Sequence, residues 1–239
     1  MRRICVVLFA CFALLGLTLP DASAQDSWKF RVTPYIWTMA VHGKANLGGI
    51  PIDLHESIPD ILREIDMALQ FHVEARHGNL LVLADSHYAK VSKDIVAPPG
   101  KFSTRQIIQS AAAGYRFDER YDVYAGLRYY DIDMESHFKS VPNFGGEGKW
   151  ADPIVGGRVL IPVGAKGALA VRGDIGGFGV GSKLAWMVQP SFTWKIKPNL
   201  AALVGYRVLD VNYESGQGAK AFRYDVRHLG PGIGMSLSF

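Results

Sequence analysis

Apolar and polar residues alternate at every second position through most of the chain after residue 25. Between positions 184 and 196 the apolar members of this alternation are Leu184, Trp186, Val188, Pro190, Phe192, Trp194 and Ile196. Side chains of a β-strand point to opposite faces in turn, so a period of two predicts strands with one apolar and one polar face. No run after residue 25 approaches 18 consecutive apolar residues, which argues against a membrane-spanning helix. The pattern predicts an all-β chain, and no linker or charge block divides residues 25–239, which we predict to form one domain.

Alternation alone does not say which face points inward, but the charges and aromatic residues favour a barrel in a membrane. The pair Arg172 and Asp174 lies within a strand rather than at its end, as expected where the polar face lines a lumen. Trp186 and Trp194 are eight residues apart, roughly 26 Å along a strand and about 20 Å after tilting, close to the height of an apolar band. We therefore predict a single antiparallel transmembrane β-barrel.

The C-terminal strand alternates up to its final aromatic residue. Its apolar members are Pro231, Ile233, Met235, Leu237 and Phe239, with Gly or Ser between them. This ending resembles the recognition signal of Gram-negative outer-membrane barrels, which is read by the barrel-assembly machinery. We predict that these five residues form the assembly signal.

The N-terminus has the three parts of a secretory signal. Arg2 and Arg3 precede an apolar run over 4–19, and a small-residue cleavage site follows at Ala22-Ser23-Ala24. The run is short for a membrane anchor, so we predict a signal peptide over 1–24 that is cleaved before Gln25.

Removing the predicted signal peptide changes the inventory of cysteines and charges. Both cysteines lie within it, so the mature chain has no thiol chemistry or disulfides. The formal charge falls from +4 to +3 on loss of Arg2, Arg3 and Asp21 (4 − 2 + 1). This mild excess suits contact with outer-membrane lipid and anionic lipopolysaccharide, whereas it is too small to indicate a nucleic-acid partner. We expect a monomer.

Turn residues divide the chain into ten predicted strands. Four connections are tight, at 77–79, 118–120, 163–166 and 197–199, and the long ones are 43–65, 92–101 and 137–149. Short periplasmic turns and longer external loops place both termini in the periplasm. Eight or twelve strands are the alternatives. The predicted strands are 28–42, 66–77, 79–91, 102–117, 121–136, 150–162, 167–177, 183–196, 199–214 and 221–239.

An internal repeat relates residues 126–136 to residues 205–215 without gaps. In both copies the alternation slips one residue before an aspartate, so that Arg128 and Asp131 are three apart and both polar. A β-bulge would return the two side chains to one face. The repeat therefore predicts a duplicated hairpin with a bulge in each copy.

The chain also resembles a widespread, largely uncharacterised family of Gram-negative outer-membrane barrels, distantly similar to the opacity-type proteins. The residues that carry the resemblance are Pro34-Tyr35-Ile36-Trp37, 48–62, Phe71 to Ala75, 150–158, 176–182, 205–214 and Gly230-Pro231. The resemblance implies the fold and the compartment. It implies no activity and no catalytic residues.

Charged residues of both signs on the polar faces predict a closed interior network. In a small lumen, arginines and carboxylates are expected to pair, because unpaired buried charge is costly, and small barrels fill with side chains. The predicted members are Glu74, Arg76, Asp85, Arg128, Asp131, Asp133, Arg158, Arg172, Asp174, Arg207, Asp210, Arg223 and Asp225. A largely plugged structural or interaction barrel with surface loops is the favoured function, and a narrow solute conduit is the first alternative.

The second alternative is a rim enzyme that hydrolyses lipid or peptide. Asp85 and His87 share a strand face, and Asp131 and Asp133 are expected near the outer rim, where His would act as a general base. The seven histidines show no metal-ligand spacing, so we predict no metal and no cofactor, and we assign no catalytic residue. The loop 43–65 is predicted to contain a short helix after Ser57 that covers the barrel mouth.

Overall fold

A computed structural model describes residues 27–239, so the predicted signal peptide lies outside the described residues. Among residues 27–239, one α-helix, Ile58–Glu64, and one 3-10 turn, Gly218–Lys220, accompany the strands. No helix among residues 27–239 is long and apolar enough to cross a membrane. The elements are β1 Lys29–Trp37, β2 Ala40–Leu47, β3 Ile50–Glu56, α1 Ile58–Glu64, β4 Ile65–His77, β5 Leu80–Ile95, β6 Gly100–Arg116, β7 Tyr121–Phe138, β8 Gly145–Val163, β9 Gly167–Gly176, β10 Leu184–Lys197, β11 Leu200–Ser215 and β12 Phe222–Ser238.

The strands close into an antiparallel barrel with ten strands in its wall, as predicted. Closure occurs where β1 pairs with both β4 and β12. β1 and β2 are two parts of one wall strand, because β1 pairs with 232–238 and β2 pairs with 222–229 of the same neighbour. β3 pairs only with β2, so it is an appendage and the sheet of twelve strands encloses a barrel of ten.

The two ends of the barrel differ in their connections. Four tight turns, at 78–79, 117–120, 164–166 and 198–199, lie at the same end as Trp28 and Phe239, and we call this the turn end. The opposite, or loop, end carries the remaining connections. Two of the predicted long loops are shorter than expected, with turns only at 96–99 and 139–144, because β5 to β8 continue past the predicted strand ends.

The segment predicted as the loop 43–65 is largely structured. β2 and β3 form a hairpin whose turn, Gly48-Gly49, has positive φ values of 62° and 93°, which residues other than glycine rarely adopt. α1 follows Ser57, as predicted, with Asp60 accepting a hydrogen bond from the Ser57 backbone N–H at 3.3 Å. Ile61 is the buried residue of the helix.

The longest strands exceed the thickness of a bilayer. β7 has 18 residues, which at about 3.3 Å per residue and a tilt near 40° gives a height of about 45 Å, against an apolar band of about 25 Å. The wall therefore includes a collar at the loop end that extends beyond any lipid-facing band.

An outward-facing apolar belt surrounds the turn-end half of the wall. Its side chains are more than a third exposed, and the intervening inward positions carry the charged residues of the lumen as well as a small buried cluster of Leu81, Leu83, Ala112 and Tyr124. Such a belt is the arrangement expected of a barrel in lipid. Members of the belt are Leu80, Val82, Tyr115, Val123, Leu127, Val155, Val159, Ile161, Leu169, Val171, Trp194, Val204, Tyr206 and Ile233.

Candidate functional site

The interior of the barrel is the candidate site, and its loop-end half is packed with aromatic rings. The Trp150 ring stacks on Tyr213 with the centroids 3.8 Å apart and on Tyr130 at 4.7 Å. Phe222 and Tyr224 pack against the same indole. We call Tyr130, Trp150, Tyr213, Phe222 and Tyr224 the aromatic plug. Each of the five side chains is buried, so the plug fills the lumen over this half.

Glycine makes room for the plug on the facing wall. A Cβ added at Gly148 on β8 would lie 2.3 Å from Cε1 of Phe222, well inside van der Waals contact. The ring of Phe222 therefore occupies space that another residue at position 148 would fill. This close approach of the ring to the backbone explains the glycine at position 148.

β7 shows how one strand serves both halves of the barrel. Arg128 points inward, and the inward residues that follow it are Tyr130, Ile132 and Met134, which are 0%, 0% and 1% exposed. The outward residues change in the opposite sense, from Leu127 and Tyr129 in the belt to carboxylates in the collar. The belt region is thus polar inside and apolar outside, whereas the collar has the reverse polarity, as in a water-soluble barrel.

This reversal corrects the predicted bulge. The pairings of β7 with β6 and β8 and of β11 with β12 run without a register shift through the repeat. Alternation therefore continues unbroken, with Arg128 inside and Asp131 outside. The slip in the sequence pattern marks the edge of the apolar belt rather than an inserted residue.

The lumen below the plug contains ion pairs between strands that are not neighbours. Arg158 on β8 donates to Glu74 on β4 at 2.7 Å and also contacts Asp122 on β7. The contact with Glu74 crosses the barrel, whereas Asp122 lies directly opposite Arg158 on the neighbouring strand, so all three side chains lie in the lumen. The network couples opposite walls through buried charge.

Two further arginines reach across the lumen. Arg207 lies 3.3 Å from Asp85, which also accepts a hydrogen bond from the Tyr35 hydroxyl at 2.9 Å. Arg128 lies 2.9 Å from Asp174, and both side chains are almost completely buried. Together with the Arg158 contacts, these pairs form three connections between walls.

The structure divides the predicted network into inward and outward members. The residues it brings into the lumen are Glu74, Arg76, Asp85, Arg128, Arg158, Arg172, Asp174 and Arg207. Five others are corrected to the outer surface of the collar, where they pair with neighbours such as Arg105 and Arg227: Asp131, Asp133, Asp210, Arg223 and Asp225.

Sequence reasoning missed one carboxylate of the lumen network, Asp122. Asp122 contacts Arg158, Arg116 at 2.7 Å and Arg76 at 3.7 Å. Asp122 lies six residues before Arg128 on β7, so the two side chains point to the same face of the strand. This alternation was the sequence signal that could have placed Asp122 in the lumen. Residue 122 lies in the predicted strand 121–136 but is absent from the predicted charge network.

The four residues considered for a rim enzyme are not brought together. His87 is 1% exposed beneath the edge of Trp37, and Asp85 is engaged by Arg207, Tyr35 and His72. Asp131 and Asp133 face the outside of the collar. Within residues 27–239 no group of three or more His, Cys, Asp or Glu side chains could hold a metal ion.

A cavity of about 990 Å³, the turn-end chamber, occupies the lumen between the arginine network and the turn end. Its wall contains two carboxylates, Glu74 and Asp85, and Asp122 pairs with three of its arginines from behind. Ten cations against these three carboxylates leave an excess of seven positive side chains (10 − 3). The cations are Lys29, Arg31, Arg76, Arg116, Arg158, Lys166, Arg172, Lys195, Lys197 and Arg207.

The helix α1 forms part of a second, apolar cavity of about 100 Å³ at the loop end. Ile61 and Leu62 contribute to its wall, and burial raises the pKa of Glu64 beside it. Hydrogen bonds from Ser57 hold the pKa of Asp60 below its usual value. Ile61 belongs to the same buried cluster as Trp37, Met134 and Trp150. α1 therefore packs against the interior of the collar at the loop end, in the same cluster as the aromatic plug.

Comparison with known proteins identifies the fold. The outer membrane protease OmpT from Escherichia coli matches with a TM-score of 0.60 at 8% identity, covering 92% of this chain and 99% of OmpT. The attachment invasion locus protein Ail of Yersinia pestis matches at 12% identity with a TM-score of 0.36, over 90% of this chain and 100% of Ail. No family model and no curated protein matches. The chain has the fold of outer-membrane β-barrels, and the predicted likeness to opacity-type proteins stays a prediction.

Proposed function

We propose that this protein is an outer-membrane barrel of structural or interaction type, closed to solutes and presenting a collar at the cell surface. The observation that carries the proposal is Trp150, whose indole is stacked between Tyr130 and Tyr213 and is 6% exposed. Close-packed rings leave no aqueous path between the collar and the lumen below it. The role therefore lies in the collar surface and in the chamber rather than in transport through the barrel.

The outward apolar belt and the C-terminal strand support a place in the outer membrane. Pro231, Ile233, Met235 and Leu237 occupy outward positions of β12, and Phe239 is exposed at the turn end. An assembly machinery reading this edge would meet an apolar row ending in an aromatic ring. With short turns in the periplasm, the collar faces the cell exterior.

Basic residues near the upper edge of the belt support contact with lipopolysaccharide as a monomeric barrel. The Arg227 guanidinium lies 5.6 Å from the Trp186 ring centroid, which places a cation on an aromatic anchor. Lys90 is exposed at the same edge on β5. Phosphate groups of lipopolysaccharide would be held there by charge and by hydrogen bonds.

The interior geometry favours this proposal over the two alternatives. A conduit needs an open lumen along its whole length, whereas the plug fills the loop-end half. A rim enzyme needs a general base at the mouth, whereas His87 is enclosed below Trp37. The word protease in the name of OmpT describes OmpT and assigns no activity to this chain.

Conductance in planar bilayers tests the closed barrel. Wild-type protein should show no steady conductance, and Trp150→Ala should produce a measurable ion leak because it removes the central ring. Trp194→Ala is the matched control, since this tryptophan lies outward in the belt, and it should behave as the wild type does. Large steady conductance of the wild-type protein would refute the proposal.

A further inference from the structure

The charge of the turn-end chamber is far from balanced, and one arginine in its wall makes no ion pair with any carboxylate of residues 27–239. Arg172 is 7% exposed and lines the chamber. Its Nε donates to the Tyr124 hydroxyl at 3.0 Å, and its guanidinium lies 5.1 Å from the Tyr124 ring centroid. Its two terminal nitrogens make no hydrogen bond or ion pair within residues 27–239. These nitrogens are not among the buried atoms that lack a partner, so they face the space of the chamber, where they can donate to a ligand.

The neighbours of Arg172 on the adjacent strands add no negative charge. Arg158 lies directly opposite on β8, and Gln189 lies directly opposite on β10. Like charges in directly opposed positions destabilise a sheet. Arg158 is held by Glu74 and Asp122, but Arg172 has no carboxylate of its own. The pairing therefore places two arginines at opposed positions of neighbouring strands, and both line the chamber, where an anion would reduce the repulsion between them.

We propose that the turn-end chamber binds a phosphate-bearing anion that enters from the periplasm, with Arg172 as its central contact. Arginine donates two parallel hydrogen bonds to phosphate, and the excess of seven positive side chains matches a multiply charged anion better than a single carboxylate. A volume of about 990 Å³ is within the range of small-molecule sites. The exposed Lys166, Lys195 and Lys197 at the turn end would attract such an anion to the opening.

The phosphate could belong to a soluble periplasmic compound or to the headgroup of a phospholipid in the inner leaflet. Both present the same oxygens to Arg172, so the chemistry of the site is common to them. The plug closes the other end, so in either case the ligand enters and leaves from the turn end. This inference does not depend on the structural or interaction role proposed for the collar.

Calorimetric titration of the full barrel in neutral detergent with tripolyphosphate tests the site. Wild-type protein should bind at low salt, and Arg172→Gln should weaken binding at least 10-fold. Arg223→Gln removes the same charge from the outside of the collar and should leave the affinity unchanged. No binding by the wild-type protein at millimolar tripolyphosphate, or an equal loss in Arg223→Gln, would overturn the proposal.

Two further measurements keep the test decisive. If Arg172→Gln does not fold, the double variant Lys195→Gln with Lys197→Gln changes only exposed positions and should weaken binding several-fold and reduce its salt dependence. Native mass spectrometry from phosphatidylglycerol nanodiscs should show lipid retained by the wild type and lost in the chamber variants if a headgroup is the source. Tripolyphosphate binding without lipid retention identifies a soluble source. If neither tripolyphosphate binding nor lipid retention is observed, the proposed site is refuted.

Discussion

Arg128 and Asp131 are three residues apart on β7 and lie on opposite sides of the barrel wall. Arg128 pairs with Asp174 in the lumen at 2.9 Å, whereas Asp131 pairs with Arg105 on the outer surface at 3.1 Å. Between them the environment outside the wall changes from apolar belt to collar. Each charge is thus on the side of the wall that offers it a partner.

The second copy of the repeat has the same arrangement. Arg207 pairs across the lumen with Asp85, and Asp210 pairs with Arg227 on the outer surface at 2.7 Å. Both copies therefore cross the edge of the belt at the same point of the repeated segment. Duplicated hairpins at equal height in the wall explain the match.

Replacing Arg128 with alanine should destabilise the barrel by about 3–5 kcal/mol, because it leaves the Asp174 carboxylate buried without its cation. Urea unfolding in detergent, followed by heat-modifiable mobility, measures the change. Arg223→Ala on the collar surface is the matched control and should change the free energy of unfolding by less than about 0.5 kcal/mol. Equal stability of Arg128→Ala and wild type would show that the lumen solvates these charges.

An arginine placed in the apolar belt should be costly only if the belt contacts lipid. Val171 lies outward in the middle of β9, and Val171→Arg should reduce barrel stability in bilayers by about 2–4 kcal/mol. Ser103→Arg lies outward in the collar opposite Glu135 and should have little effect. Folding titrations of both variants in lipid vesicles measure the difference. Similar costs at the two positions would contradict the assignment of belt and collar.

Deleting Phe239 should reduce the amount of folded barrel in the outer membrane, because the terminal ring completes the apolar row of β12. Its backbone also exchanges hydrogen bonds with Phe30 at 3.1 and 2.9 Å, so Phe239→Ala separates the ring from this pairing. Both variants should lower heat-modifiable protein in membrane fractions. If Phe239→Ala leaves the amount of heat-modifiable protein unchanged, the backbone pairing rather than the aromatic ring supports assembly. That result would count against the predicted assembly signal.

The helix α1 should weaken in acid through Asp60. Because the folded-state pKa of Asp60 lies below its usual value, its contribution is present above the unfolded-state pKa and is lost as the pH falls through the folded-state pKa. Removing the Ser57 hydroxyl by Ser57→Ala should raise the Asp60 pKa towards normal, measured by carboxyl-carbon NMR. Ser103→Ala on the collar should leave it unchanged. An Asp60 pKa in Ser57→Ala equal to that of the wild type would exclude the Ser57 hydroxyl as the cause.

The period-two pattern, the turn residues and the glycine pair at 48–49 are local properties, and they determined much of the fold from the sequence alone. Strand type follows from side-chain alternation, and tight turns follow from residues that tolerate their backbone angles. The ten strands in the wall, the four tight turns and the helix after Ser57 were therefore predictable. The inward parity of Arg128, Arg158, Arg172 and Arg207 was predictable for the same reason.

The tertiary structure alone decided what each face meets. Alternation records that two faces differ, but the side on which an apolar residue is stable depends on whether lipid or water lies outside at that height. The slip before Asp131 therefore had two explanations, and only the unbroken register of β7 with its neighbours separates a polarity reversal from a bulge. The stack of Trp150 between Tyr130 and Tyr213, and the missing partner of Arg172, depend on strands distant in sequence. Such contacts exist only once the barrel closes, because closure sets which side chains share a level of the lumen.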